Sequence, residues 1–123
     1  MKYFEKIAVS RLRSFVKVVN KPIPTNTTYF RRMRNKGYKY YEMTLKNKPI
    51  GEFFYDPEKK RAYSTFISEE FRRMGLGKKM YGEVLKKEKY IEPGGVQTDA
   101  VKNLWKFLKN KYPNVEKGIV YPK

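Results

Sequence analysis

The sequence predicts one α+β domain, an α/β sandwich in which helices flank a mixed sheet containing an antiparallel meander. Three observations predict it. The hydrophobic period changes from helical to alternating at Tyr38; three strand-forming runs joined by tight turns follow; and two amphipathic helical stretches come after them. At 123 residues the chain has room for one core and not for two. It divides into a basic helical part, residues 1–37, and a core over residues 38–121.

Each element has its own signal. Over residues 4–16, Phe4, Ile7, Ala8, Leu12 and Phe15 recur at helical spacing. "NKPIPTNTT" (20–28) breaks that pattern with two prolines, and "YFRRMRNKG" (29–37) reads as a short helix closed by Gly37. Tyr38–Lys46, Ile50–Asp56 and Arg61–Ser68 alternate and are rich in strand formers, with turns at "NKP" and "PEKK". Residues 77–89 read as a helix with Met80, Val84 and Leu85 on one face, and Tyr90–Ile91 as a short strand. Thr98 caps a second helix, over 98–110, whose stripe is Val101, Leu104, Trp105 and Leu108. Val115–Tyr121 closes the chain as a strand.

Composition excludes several chemistries. With no cysteine there is no thiolate nucleophile or disulfide, and with no histidine there is no imidazole base, so no metal site is expected. Proton transfer must fall to carboxylates, tyrosines, lysines or water. No apolar run approaches a membrane span, and the first residues lack the apolar core of a secretory signal, which predicts a cytoplasmic protein, or one of the host cytoplasm if viral. The Lys, Tyr and Asn content resembles that of phage proteins. The net charge of +17 is uneven: residues 1–48 carry 13 Lys and Arg against two acids, residues 49–123 carry 16 against ten. Such asymmetry predicts a polyanionic partner, with nucleic acid the first candidate.

The segment Phe66–Lys87 runs a strand into "RRMGLGK" and then a helix. Helix N-termini leave several N–H groups unpaired, and glycine admits the backbone conformations that gather them around an anion. Arg72, Arg73 and Lys78 add full charges around Gly75, Leu76 and Gly77, so the turn suits a pyrophosphate. It lacks the spacing of a Walker A loop and the third glycine of a dinucleotide fingerprint.

"RRMGLG" (72–77), between a meander strand and an amphipathic helix, resembles motif A of the GCN5-related N-acetyltransferase (GNAT) superfamily, R/Q-x-x-G-x-G/A. "TDAVKNLWKFL" (98–108) is similar to a second signature of that family, N-x-x-A-x-x-L-Y-x-x-L, with Thr98 at the Asn and Trp105 at the Tyr. The resemblance covers about residues 38–121. It implies acetyl-CoA as co-substrate, its pyrophosphate on the loop amides, its pantetheine arm along the strand holding Phe66 and Ile67, and Thr98 beside the cofactor. It implies attack by an amine on the thioester, with no metal.

The resemblance leaves the acid and base open. The family's usual acid is the tyrosine that Trp105 replaces, and an indole cannot give up a proton at neutral pH. Tyr112 or Tyr81 could serve instead, and Glu52, Glu69 or Glu70 are the candidate bases. Arg31, Arg32, Arg34 and Lys36, interleaved with aromatics, are candidates for nucleic-acid or acceptor binding. Two readings follow: an N-acetyltransferase with a nucleic-acid-associated acceptor, and a protein that keeps the fold, has lost catalysis, and binds nucleic acid or another polyanion through its basic half. A structural or virion-associated role is a third.

Overall fold

The computed structural model describes residues 14–26, 30–95 and 97–122. The elements are β1 (Val16–Lys21), α1 (Phe30–Asn35), β2 (Lys39–Leu45), β3 (Lys48–Asp56), β4 (Arg61–Ile67), a 3-10 turn (Glu69–Phe71), α2 (Leu76–Glu88), β5 (Tyr90–Ile91), α3 (Asp99–Lys111), β6 (Asn114–Val115) and β7 (Gly118–Val120). Most of the helix expected over 4–16 lies outside the described residues. Ser14 and Phe15 are helical, but Val16 already belongs to a strand.

β1 is an addition to the sequence reading. Val16 and Val18 point inward, and the strand pairs antiparallel with β2 from Val16↔Leu45 to Lys21↔Tyr40. Strands β1 to β4 form an antiparallel sheet in chain order, and β5, β7 and β6 form a second. The sheet thus begins well before residue 38. A single parallel bridge, Arg61↔Glu92, connects the two parts.

Local chemistry sets the turns. Lys46 and Asn47 take φ of 51° and 68°, the left-handed pair that a two-residue hairpin of matching twist requires. The turn therefore sits one residue earlier than "NKP". Asp56, buried, accepts hydrogen bonds from the backbone N–H groups of Glu58 and Lys59 at 3.0 and 3.2 Å and so holds the β3–β4 turn. Gly37, at φ 71°, ends α1 with Gly37 N–H on the Arg34 carbonyl and Tyr38 N–H on that of Met33. The final strand expected over 115–121 is in fact a hairpin, β6–β7, turning at Glu116 and Lys117.

The sheet has two covered faces. Tyr41, Met43, Phe53 and Tyr55 pack against Leu76, Met80, Tyr81, Val84 and Leu85 of α2 and Trp105 and Leu108 of α3. On the opposite face, Met33 of α1 packs with Tyr40 and Phe54. α2 is tied to the sheet at its far end as well. Glu88 accepts from the Tyr41 hydroxyl and pairs with Lys39 at 3.0 Å. Burial first, then Glu88, pushes the Tyr41 phenol well above its ordinary pKa. Among the described residues no helix is long and apolar enough to cross a membrane.

Gly118 is where β7 comes closest to β5: a Cβ there would run into the Ile91 carbonyl oxygen and the Tyr90 ring. Gly118→Ala is expected to lower stability by about 1–3 kcal/mol, the usual cost of overpacking against backbone that cannot yield. Thermal unfolding followed by circular dichroism checks this, and an unchanged melting temperature would refute the packing described for β5 and β7.

Candidate functional site

The site is built where β4 hands the chain to α2. Ser68 N–H bonds the Ile50 carbonyl at 2.8 Å, and the 3-10 turn buries Phe71, which anchors the loop to the core. The Arg72 Nε donates back to the Ile67 carbonyl at 2.8 Å, with its guanidinium 5.4 Å from the Phe66 ring centre. Arg73 (φ 64°) and Gly75 (φ 75°) are both left-handed. That conformation costs a non-glycine residue roughly 1–2 kcal/mol, so Arg73 is held there by the loop around it.

Gly75 is also the N-cap of α2, and no side chain caps the helix. The first intrahelical bond is Lys79 N–H to the Gly75 carbonyl, at 3.4 Å. The N–H groups of Leu76, Gly77 and Lys78, ahead of that bond, have no intrahelical acceptor. They share the positive end of the helix dipole. A Cβ on Gly77 would stand 3.3 Å from Leu104 Cδ2 and 3.7 Å from Ile67 Cδ1, so glycine there lets the helix start lie close against both β4 and α3.

In front of this helix start opens a cleft of about 820 Å³, within the range of about 300–1,000 Å³ typical of ligand sites. One wall is β4, at Thr65, Phe66 and Ile67; the other is α3, at Val101, Leu104 and Phe107. Arg72, Arg73 and Lys78 supply its cations, and Lys78 Nζ rests 3.9 Å from the Phe107 ring centre. Thr98 lines the cleft too, but its hydroxyl is already engaged, accepting from Val101 N–H at 3.3 Å as the N-cap of α3. All nine residues expected around a cofactor, Phe66, Ile67, Arg72, Arg73, Gly75, Leu76, Gly77, Lys78 and Thr98, thus line one cleft.

Sequence reasoning missed Phe107, Asn103 and Thr65. Phe107 follows Leu104 by three on the helix, a spacing that could have placed it on the same wall.

The candidate catalytic residues are dispersed. Glu69 is exposed, in the 3-10 turn, and outside the cleft lining. Tyr112 caps the C-terminus of α3, and its hydroxyl lies 2.9 Å from where a Cβ on Gly82 would be, beyond the lining of the cleft. Glu52 is half-buried on β3, directly across from Phe66 of β4, on the sheet face that α1 covers. The Tyr40 hydroxyl reaches Glu42 at 3.2 Å and Glu52 at 3.4 Å, and Glu42 pairs with Lys21 at 2.6 Å. Burial, then the two carboxylates, pushes the Tyr40 phenol strongly upward.

Trp105 is buried, as its place in an apolar stripe implies, yet its Nε1–H makes no hydrogen bond of ordinary geometry among the described residues. Tyr81 packs edge-on against it, ring centres 5.7 Å apart. On the α1 side, Arg31, Arg32, Arg34 and Lys36 are exposed and form no ion pair among the described residues, Arg34 lying over the Phe30 ring at 5.9 Å. No group of three or more acidic side chains that could hold a metal occurs among the described residues.

No family model matches the chain, and no curated protein matches it in sequence. Solved structures match it in fold. A GNAT family acetyltransferase from Elizabethkingia anophelis with acetyl-CoA bound superposes with a TM-score of 0.59 at 16% identity, over 86% of this chain and 92% of its own. The E. coli protein YhhK, bound to coenzyme A, gives 0.53 at 10% identity, over 84% and 94%. An aminoglycoside acetyltransferase from an uncultured soil metagenomic sample, in complex with sisomicin, gives 0.53 at 17%, over 91% and 97%. At this level of identity the likeness is one of fold: the chain has the fold of the GNAT acetyltransferases.

Proposed function

We propose that the protein is an acetyl-CoA-dependent N-acetyltransferase. The observation that carries the reading is the uncapped start of α2, three free N–H groups facing a cleft with apolar walls and a cationic rim. These features fit the two ends of coenzyme A, a pyrophosphate and a long, mostly apolar arm. Acetyl-CoA supplies an acyl carbon activated as a thioester. The chain's own residues do the rest. The amides of Leu76, Gly77 and Lys78 hold the pyrophosphate, with Arg72, Arg73 and Lys78 neutralising it. The β4 backbone at Thr65–Ile67, which has no strand on its open side, offers N–H and C=O groups to the amides of the arm.

Glu52 is the carboxylate best placed to take a proton from an incoming ammonium. It lies on the sheet beside β4, its position held by Tyr40, whereas Glu69 is an exposed loop acid. The acceptor is then an amine approaching on the α1 face, past Arg31, Arg32, Arg34 and Lys36. Their unpaired charge favours an amine carried by, or bound beside, a nucleic acid or an acidic partner. The same charge supports a second reading, in which the fold serves as a polyanion-binding module without transfer.

Gly75→Glu places a carboxylate where the pyrophosphate would sit. It is expected to weaken acetyl-CoA binding at least 100-fold by calorimetry, while Gly75→Asn, neutral and tolerant of positive φ, reports what backbone strain alone costs. Undiminished affinity in Gly75→Glu would rule out this cleft as the cofactor site. For the basic surface, binding to a single-stranded oligonucleotide should weaken steeply as salt rises. Replacing Arg31, Arg32 and Arg34 by Ala should shallow that salt dependence by about 2–3 in the log–log slope. No binding at low salt, or a slope unmoved by the triple replacement, would remove nucleic acid from the account.

A further inference from the structure

The side chains of β4 do not simply alternate. Phe54 pairs with Ser64 and Tyr55 with Ala62, so Tyr63 is an extra residue bulged out of the β3–β4 ladder. Ala62 is buried in the core under α2, whereas Tyr63 packs with Met33, Tyr40 and Phe54 on the α1 face, the face that Ser64 takes opposite Phe54. The bulge thereby adds a ring to that face. The Tyr63 ring stands 4.8 Å from that of Tyr38, centre to centre, at a tilt of 54°. Both tyrosines are half-buried, leaning on the cluster and keeping part of their surface in solvent. Cations flank the pair. Tyr38 N–H bonds the Met33 carbonyl at 3.0 Å, which ties Tyr38 to the last turn of α1, where Arg32, Arg34 and Lys36 are exposed. Tyr38 also precedes the Lys39–Tyr55 pair and so borders Asp56 and its partner Arg61, with exposed Lys60 next in the turn. None of these cations forms an ion pair among the described residues.

We propose that the Tyr38–Tyr63 pair is a stacking platform for an unpaired base, and that the α1 face binds single-stranded nucleic acid through it. The inference rests on the reading of that face as a polyanion site and names its ligand. Cations alone hold any polyanion, by releasing its counterions. Rings set among them add a contribution that only a ligand with open aromatic faces can use. A duplex keeps its base faces inside its own stack, and an acidic protein surface has none to offer, whereas a single strand can splay its bases onto a ring. The pair is also fixed in advance, Tyr63 by the bulge and the cluster beneath it, Tyr38 by its bond to α1, so little side-chain freedom is lost when a base lands. Phe66, 51% exposed and on the same face opposite Glu52, continues the line of rings along β4 as far as the cleft.

The test compares three fluorescent oligonucleotides of about 12 nucleotides by anisotropy at one low salt concentration. They are a single strand, a strand of the same length and charge with abasic residues through its middle, and the duplex of the first. The wild-type protein should bind the base-bearing strand about tenfold tighter than the abasic one, and tighter than the duplex despite the duplex's denser charge. Tyr63→Ala should bring the base-bearing strand to within about twofold of the abasic one and leave the salt slope unchanged, while Tyr63→Phe, which keeps the ring, should keep the preference. Equal wild-type affinity for the base-bearing and abasic strands, or tightest binding to the duplex, would overturn the proposal without recourse to any variant, and would leave the polyanion reading standing. A preference for bases that survives in Tyr63→Ala would overturn it too. Wild-type protein that binds none of the three would remove the polyanion reading as well.

Discussion

β4 meets the residue just after β5 in one bridge, Arg61 with Glu92, beyond which the chains separate, and this parting is the constraint from which the site follows. Ala62 N–H bonds the Glu92 carbonyl at 3.0 Å and Glu92 N–H the Lys60 carbonyl at 2.8 Å. Pairing stops there for local reasons. Pro93 has no N–H to give, and Gly94 passes so close to Ala62 that a Cβ would lie 2.9 Å from its carbonyl oxygen. On β4, Tyr63 is the extra residue of a bulge against β3, since Phe54 pairs with Ser64 and Tyr55 with Ala62. A bulge sharpens the twist and bends the strand. The far end of β4 is thereby left with an open edge inside the molecule, and a sheet edge within a protein needs a partner.

The packing of the two long helices gives that edge its surroundings. α2 and α3 run alongside each other, Gly77 near Leu104, Lys78 over Phe107 and Gly82 against Tyr112, so both wall the same opening. Because Gly75 starts α2 in a left-handed conformation without a capping side chain, the helix presents its unpaired N–H groups to that opening. The polar demand is split along the cleft. Arg72, Arg73 and Lys78 bring full charges to the helix start, while the polar side chains that line the cleft elsewhere, Thr65, Tyr81, Thr98 and Asn103, are neutral. A separate cluster of positive charge, Arg31, Arg32, Arg34 and Lys36, is exposed on and just after α1.

Much of this was legible in the residues. The three meander strands, both long helices, Thr98 as an N-cap and the glycine turn all announce themselves through local pattern, and local pattern is what the structure kept. β1 was not legible in the same way. "VKVVN" is short, follows a helical pattern, and is a strand because β2 offers it an edge. The β6–β7 hairpin was read as one strand because Glu116 turns at φ 54° without the glycine or asparagine that usually marks such a turn. The lining of the cleft was legible in the sequence because its residues fall in two contiguous segments, 65–81 and 98–107. Which acidic or phenolic side chains reach the cleft was not legible, because that depends on which side chains of separate elements meet. Tyr112 and Glu69, near the motifs in sequence, fall outside the cleft, while Tyr81, a buried core residue of α2, is part of its lining.

The central claim is that the free amides at the start of α2 hold the pyrophosphate of coenzyme A. Its most direct measurement is a two-dimensional amide NMR titration of the labelled protein with coenzyme A. The account predicts that the N–H resonances of Leu76, Gly77 and Lys78 move furthest and downfield, as amides gaining a charged acceptor do, with Thr65–Ile67 of β4 following. Coenzyme A that leaves these amides in place and shifts instead the resonances of α1 would contradict it, and would make the basic surface, not the cleft, the binding site of this protein.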